Sequence, residues 1–358
     1  MARNNPGTHP PTALVARFSA LGDVAMTIPA LYAACRANPS RRFVMLTRRG
    51  FDAMFVDPPA NLLVEGVDLS EPRLRGIIGM ERLTADAVRR WKPDVFVDLH
   101  DVIRTKLIRL SCRLRGIRVA TIDKGRSEKK RLTRGGAALS SPLKPQLERY
   151  RDTFARAGIN TPDEFSGLWQ GPMKAPAEPF AKITGPKPDG RRWVAVAPSA
   201  AHPGKVYPPE LMRQVVDSLA AHPHVTVFLL GGGDDRALLE AWAQGRDNIV
   251  SLAGKNHGFA AELALLNHCD AALTMDSGNM HLAALAQTPL VSVWGATHPF
   301  AGFTPWQAKG SRFEAVQTDL CCRPCSIFGD KSCRRGDYAC LRSISPQEIA
   351  DAVMRLLA

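Results

Sequence analysis

The chain has 358 residues, 45% hydrophobic and 23% charged. That is the composition of a soluble globular protein long enough for two domains with separate cores. No run approaches the ~18 apolar residues of a membrane-spanning helix. The polar, proline-rich residues 1–12 lack the apolar centre of a signal peptide and read as a disordered leader, so the chain is expected in the cytoplasm. The net charge of +13 is uneven: residues 1–179 hold 30 lysines and arginines against 18 acidic residues, and residues 180–358 hold 17 against 16. Arg104 to Arg134 alone carries twelve basic side chains against Asp123 and Glu128. Such a field concentrates anionic partners, whether nucleic acid, a phosphorylated glycolipid or an anionic membrane surface. Nucleic acid is set aside, because no aromatic-studded basic motif of the known modules accompanies the charge.

In chain order, Thr12 to Phe18 reads as a short buried strand, Ser19 to Asp23 as a turn, and Val24 to Ala37 as a helix with Ile28, Leu31 and Cys35 on one side. Pro29 falls early in that helix, where a missing N–H is tolerated best. Strands follow at Phe43–Thr47, Asp94–Leu99 and Ile117–Ile122. Helices precede Trp91 and span Val102–Leu114 and 146–157. Residues 161–191 hold six prolines and no helix or strand period, and read as a linker between domains 13–160 and 192–344. Beyond it come strands at Trp193–Ala197, Val225–Leu230, Asn248–Leu252, Ala271–Met275 and Leu290–Trp294, the last clear strand. Helices begin at Pro209, after Asp235 and at Ala260. A terminal helix occupies 345–358. Alternating strands and helices predict an α/β fold of two parallel-sheet layers facing across a cleft.

Three loops of the second half fall at strand-to-helix junctions on one sheet edge, where open parallel sheets bind ligands. The first offers Lys205, a point charge for phosphate. The second offers Gly231-Gly232-Gly233-Asp234-Asp235. Glycines allow close backbone approach, and a carboxylate such as Asp235 can reach ribose hydroxyls. The third is Asp276-Ser277-Gly278-x-x-His281. Free N–H groups of a first helical turn attract phosphates there. Together they describe a nucleotide diphosphate site without P-loop spacing. The alternative is that Asp276 or Ser277 caps the helix and His281 is an interior histidine. In the first half, Asp23 follows the first strand and suits a general base, or equally an N-cap.

Arg17-x-Ser19-Ala20-Leu21-Gly22-Asp23-x-x-x-Thr27-x-Pro29 resembles the opening of glycosyltransferase family 9, the heptosyltransferases of lipopolysaccharide core synthesis. Asp276-Ser277-Gly278-x-x-His281-Leu282-Ala283-Ala284, then Pro289 to Thr297, is similar to that family's second signature. The resemblance implies a GT-B fold of two Rossmann-like domains and metal-independent, inverting sugar transfer. It makes Asp23 the base and Lys205, with Ser277, Gly278 and His281, the holders of the diphosphate. Gly232, Gly233, Asp235 and Asp276 join the donor site. The donor it implies is ADP-heptose. The acceptor is an anionic glycolipid met by Arg104, Lys106, Lys129, Lys130 and Arg131, with peripheral contact at the inner membrane. This chain has Tyr207-Pro208 where the best-known members place a tryptophan-proline pair. A nucleotide-sugar epimerase of the same fold, or a silent nucleotide-sugar binder, stands as the alternative.

Five of the eight cysteines crowd into the loop 321–340. The spacing of Cys322, Cys325, Cys333 and Cys340 is that of a tetrathiolate, so a structural zinc is a candidate, against reduced or adventitiously paired thiols.

Overall fold

A computed structural model describes residues 9–134, 141–169 and 174–358. Parts of the expected leader (residues 1–8) and of the expected linker (residues 170–173) lie outside the described residues. The chain divides into two units. One comprises residues 1–124 and 146–165, the other 125–145 and 166–358.

The first unit is built from β1 (Thr12–Ala16), α1 (Leu21–Ala25), α2 (Thr27–Ala37), β2 (Arg42–Arg48), β3 (Leu62–Val67), α3 (Gly76–Trp91), β4 (Val95–Asp98), α4 (Ile103–Leu114) and β5 (Arg118–Thr121). Next in the chain comes α5 (Arg126–Leu132), which packs with the second unit, and then α6 (Gln146–Arg156), which returns to the first. The five strands form a parallel sheet in the order β3-β2-β1-β4-β5. All five residues of β1 are buried, because a central parallel strand is covered on both faces. Leu14 sits level with Val44 and Phe96 in its neighbours. Ala87 of α3 and Ile108 and Cys112 of α4 join them in one core.

The second unit follows with α7 (Glu178–Thr184), β6 (Arg192–Ala197), α8 (Pro209–Ala220), β7 (Val225–Leu229), α9 (Arg236–Ala243), β8 (Ile249–Ser251), α10 (Phe259–His268), β9 (Ala271–Met275), α11 (Gly278–Leu285), β10 (Leu290–Trp294), β11 (Phe313–Gln317), α12 (Ala339–Arg342) and α13 (Pro346–Leu357). Its six strands are parallel, ordered β11-β10-β9-β6-β7-β8. Counted within the unit, this is the doubly wound Rossmann-like order. Val194, Val227, Leu273 and Val293 on the sheet and Val216 and Val353 on α8 and α13 share its core.

Besides α5, α12 and the helix α7 inside the expected linker, none of which the sequence reading contained, three features depart from it. The expected helix from Val24 is two helices broken at Met26, and the first begins at Leu21. Strand β3 follows β2 unannounced, because Glu65 and Gly66 interrupt its apolar pattern. Strand β11 lies beyond Leu290–Trp294; as an edge strand only Val316 of it is buried, so it carries little apolar signal.

Candidate functional site

Strand order reverses between β6 and β9 in the second unit, and the loops after those strands lie side by side. Lys205 comes from the first loop and Asp276 from the second, and their Nζ and Oδ2 stand 2.9 Å apart. The Thr297 hydroxyl, beyond β10, donates to the same Oδ2 at 2.7 Å. Asp276 is 3% exposed, so this pair is withdrawn from solvent. Both contacts fall on Oδ2. Asp276 therefore does not cap α11.

Ser277 occupies the N-cap position of α11 in extended backbone, yet its side chain makes no capping bond. Its Oγ is buried and has no hydrogen-bond partner among the described residues. A buried hydroxyl left unpaired is costly unless a ligand satisfies it. One turn on, His281 is buried on the same helix face as Ser277. Gly278, at the first helical position, leaves the helix-end N–H groups unobstructed by a side chain.

The loop after β7 is tied to the loop after β6. Ser199 Oγ donates to Asp235 Oδ1 at 2.6 Å, and the Gly232 N–H donates to Asp235 Oδ2 at 2.8 Å. Asp235 thus clamps the glycine turn with both oxygens. A Cβ at Gly233 would meet nothing within 4 Å, and one at Gly232 only Asp235 at 3.8 Å. The backbone there borders open space that a ligand could enter.

Glu262, in the first turn of α10, escaped the sequence reading. Burial alone raises its carboxyl from the usual 4.5 to about 7. It lies on the first helix after β8, half-buried, with no charged partner among the causes of that shift. The signal in the sequence was one acidic residue inside Phe259-Ala260-Ala261-Glu262-Leu263-Ala264, a run that reads simply as buried helix.

The cysteine loop packs against the Lys205 loop. Gly204 donates to Gly329 O at 3.3 Å, and Ala296 donates to Gly204 O at 2.8 Å. Gly329 has φ +75, and a Cβ on it would lie 2.6 Å from Lys205 Cγ, so only glycine fits beside this lysine. Arg323, 2% exposed, donates to Gly295 O at 2.6 Å and Thr297 O at 2.8 Å and locks the loop to the end of β10. All eight cysteines are free thiols. Among the described residues no group of three or more His, Cys, Asp or Glu is placed to hold a metal ion. Cys322, Cys325, Cys333 and Cys340 are not drawn together into such a group. Burial pushes the Cys340 thiol up to about 11. At Cys333 burial pulls the same way, but hydrogen bonds from the backbone of Tyr338, Arg335, Gly336 and Asp337 outweigh it and hold the thiol below its ordinary range.

In the first unit the strand order reverses between β1 and β4. Asp23 sits there, in the first turn of α1, and its side chain is 23% exposed. Arg17 Nη2 lies 2.6 Å from Asp23 Oδ2, and the Ala20 N–H donates to the same oxygen at 3.3 Å. The rest of the Arg17 guanidinium is spent on backbone: Nε donates to Ser19 O at 2.8 Å and Nη1 to Leu99 O at 2.7 Å. Tyr150 of α6 donates to Asp23 O at 3.1 Å and fixes the turn from the other side. Both side-chain contacts of Asp23 fall on Oδ2.

His100, beyond β4, accepts from the Phe18 N–H through Nδ1 at 3.4 Å. The neutral ring then carries its proton on Nε2, which meets Ser19 Oγ at 3.3 Å. Burial, helped by Arg17 and Lys124, lowers His100 to about 3, so it stays neutral. Beside it, Phe18, Ser19, Arg48, Arg49 and Arg104 help line a cavity of about 440 Å³.

The expected basic face is divided. Arg104 and Lys106 are exposed on α4 of the first unit, whereas Lys129, Lys130 and Arg131 lie on α5, which packs with the second. Lys130 and Arg131 are exposed, but Lys129 is buried with Nζ 4.2 Å from the centre of the Phe303 ring. A cation held over an aromatic face is partly satisfied there, so Lys129 is the least suited of the five to meet a soluble anion.

The sequence profile of glycosyltransferase family 9 (heptosyltransferase) matches residues 89–330. Lipooligosaccharide heptosyltransferase 2 of Campylobacter jejuni is 33% identical over 89 residues, 25% of this chain and 26% of that one. The chain thus spans about a quarter of that curated relative's length. Among solved structures, a family 9 glycosyl transferase from Veillonella parvula superposes with TM-score 0.75 at 20% identity, covering 99% of each chain. The E. coli ADP-heptose lipopolysaccharide heptosyltransferase II superposes with TM-score 0.69 at 17% identity, covering 97% of this chain and 98% of that one. The fold is GT-B, with a Rossmann-like unit in each half. The chain belongs to glycosyltransferase family 9, the heptosyltransferase family.

Proposed function

We propose that the protein moves a heptose from ADP-heptose onto an acidic acceptor of the lipopolysaccharide core, with inversion and without a catalytic metal. The observation that carries this reading is the Lys205–Asp276 pair at the strand-order reversal, beside the buried, unpartnered Ser277 hydroxyl. A cation, an unsatisfied hydroxyl and helix-end N–H groups converging on one point suit a diphosphate. The name of the E. coli structural relative supports the donor.

In this reading Asp23 Oδ1 takes the proton of an acceptor hydroxyl. The hydroxyl oxygen forms a bond to the anomeric carbon of the donor sugar as the bond from that carbon to the diphosphate oxygen breaks. ADP leaves with the electron pair. Lys205, Ser277 and the first N–H groups of α11 stabilise the charge that grows on the diphosphate, as preorganised donors do. His281 shapes the same pocket, and Gly232 and Gly233 let the nucleotide approach the backbone. Asp235 holds that glycine turn. Arg104 and Lys106 meet the acidic acceptor. The reaction is placed on the cytoplasmic face of the inner membrane; among the described residues no helix is long and apolar enough to cross a membrane.

The test is thermal unfolding with ADP, UDP, GDP and CDP. A ligand at ~100 times its Kd adds roughly 2.7 kcal/mol to a protein that binds it only when folded. A rise with ADP alone, lost in Lys205→Ala, is the expected result. A rise with another nucleotide overturns the donor, and no rise with any overturns the site.

A further inference from the structure

Large apolar side chains on a soluble surface normally occur singly. Among the described residues the five most exposed ones sit on two neighbouring helices: Ile77 (71%) and Ile78 (69%) on α3, and Ile103 (77%), Leu110 (55%) and Leu114 (78%) on α4. With the half-buried Leu107, the α4 residues fall at i, i+4, i+7 and i+11, a single stripe along the helix. The opposite side of α4, Thr105, Ile108, Ser111 and Cys112, is buried in the core. So α4 has two apolar faces and the fold uses only one.

The two helices present these side chains together. They pack against each other, and an ion pair joins Arg115 at the end of α4 to Glu81 in α3, one turn beyond Ile77 and Ile78. Exposed basic residues flank the apolar stripe: Arg104, Lys106 and Arg113 on α4, and Arg75 and Arg82 about the start of α3. An apolar stripe edged by arginine and lysine is the pattern of a helix lying in the headgroup layer of an anionic bilayer. A water-filled groove would not call for the leucines, and a protein core would not call for the arginines.

We propose that the α3–α4 surface docks on an anionic phospholipid membrane, with Ile77, Ile78, Ile103, Leu110 and Leu114 entering the interface and the flanking arginines and lysines meeting lipid phosphates. Arg104 belongs to this rim and also lines the cavity that holds Ser19. Docking would therefore set that cavity at the level of the headgroups, where an acyl-chain-anchored acceptor presents its sugars. The surface deepens the glycolipid-acceptor reading and rests on it for its purpose, though not for its physics.

The experiment is co-sedimentation of the full chain with phosphatidylcholine vesicles and with vesicles of phosphatidylcholine and phosphatidylglycerol. Wild type should pellet with the anionic vesicles only. The triple variant Ile103→Ser, Leu110→Ser, Leu114→Ser should lose at least ~10-fold in partitioning, and Ile77→Ser with Ile78→Ser should weaken it independently. These side chains are exposed, and an unchanged circular dichroism spectrum and melting temperature would show that both variants fold. Wild type that stays in solution with anionic vesicles overturns the proposal, as does a triple variant that pellets like wild type. A wild-type dimer that the triple variant turns into a monomer, with no vesicle binding by either, would make the face a self-contact and also overturn it. Transfer to a deacylated acceptor should be equal in wild type and variant. Its absence in both would sink the transferase reading and leave the docking result standing.

Discussion

Lys205 and Asp276 come from loops 71 residues apart and meet at 2.9 Å across the point where the second sheet reverses its strand order. Asp276 is almost wholly buried, so the lysine has two jobs, neutralising a carboxylate and offering charge to a ligand. The two can be separated. Lys205→Met should lower stability by about 3 kcal/mol, because it strands a buried charge, and should abolish the ADP-dependent rise in melting temperature. Adding Asp276→Asn should restore much of the stability and none of the ADP response. Denaturant melts with and without ADP measure both.

Ser277 offers a sharper contrast. Its hydroxyl has no partner among the described residues, so Ser277→Ala should leave stability within about 0.5 kcal/mol or raise it slightly. The same change should weaken ADP by roughly 10- to 150-fold, the worth of one hydrogen bond to a charged group. Calorimetric titration reads the affinity. A stability loss with unchanged affinity would make Ser277 a helix cap after all.

Arg17 acts through Asp23. All three of its nitrogens are committed, two to backbone carbonyls and one to the carboxylate. Arg17→Lys keeps the charge but not the fork. It should lower kcat by about 10-fold or more with little change in donor KM, since misplacing a general base costs rate rather than binding. A parallel rise in donor KM would indicate a wider collapse of the turn.

Glu262 and His100 set opposite pH dependences. Glu262, raised from 4.5 to about 7, binds its proton more tightly in the folded state. Its contribution is complete below pH 4.5 and lost as pH rises toward 7, so Glu262→Gln should flatten the fall in melting temperature across that window. His100, lowered from 6.5 to about 3, must stay neutral to fold. Its contribution is complete above pH 6.5 and lost as pH falls toward 3. His100→Gln should reduce the acid sensitivity over that range. Melts at half-unit pH steps separate the two.

Much of the fold was legible in the residues, for a physical reason. Central strands such as β1, β6 and β9 are buried on both faces and read as unbroken apolar runs, and the polar loops after them mark the ligand edge. What stayed hidden depends on the surroundings rather than on the local pattern. Strand β11 is an edge strand with one buried residue. Glu262 owes its raised pKa to how the fold buries it. Lys129 looks like its neighbours in sequence, and only tertiary packing puts it over Phe303. The spare apolar face of α4 was invisible for the converse reason. Ile103, Leu107, Leu110 and Leu114 share the helix with Ile108 and Cys112, and periodicity alone cannot tell which stripe meets the core.

The central claim is that Asp23 is the base of a sugar transfer whose donor is held by the other half of the chain. The most direct measurement is single-turnover transfer from ADP-heptose to a lipopolysaccharide-core acceptor by wild type and by Asp23→Asn, with ADP binding followed in the same samples. The account predicts that Asp23→Asn binds ADP as wild type does and transfers at least ~100-fold more slowly, the scale of a lost general base. Transfer by Asp23→Asn at the wild-type rate would contradict it.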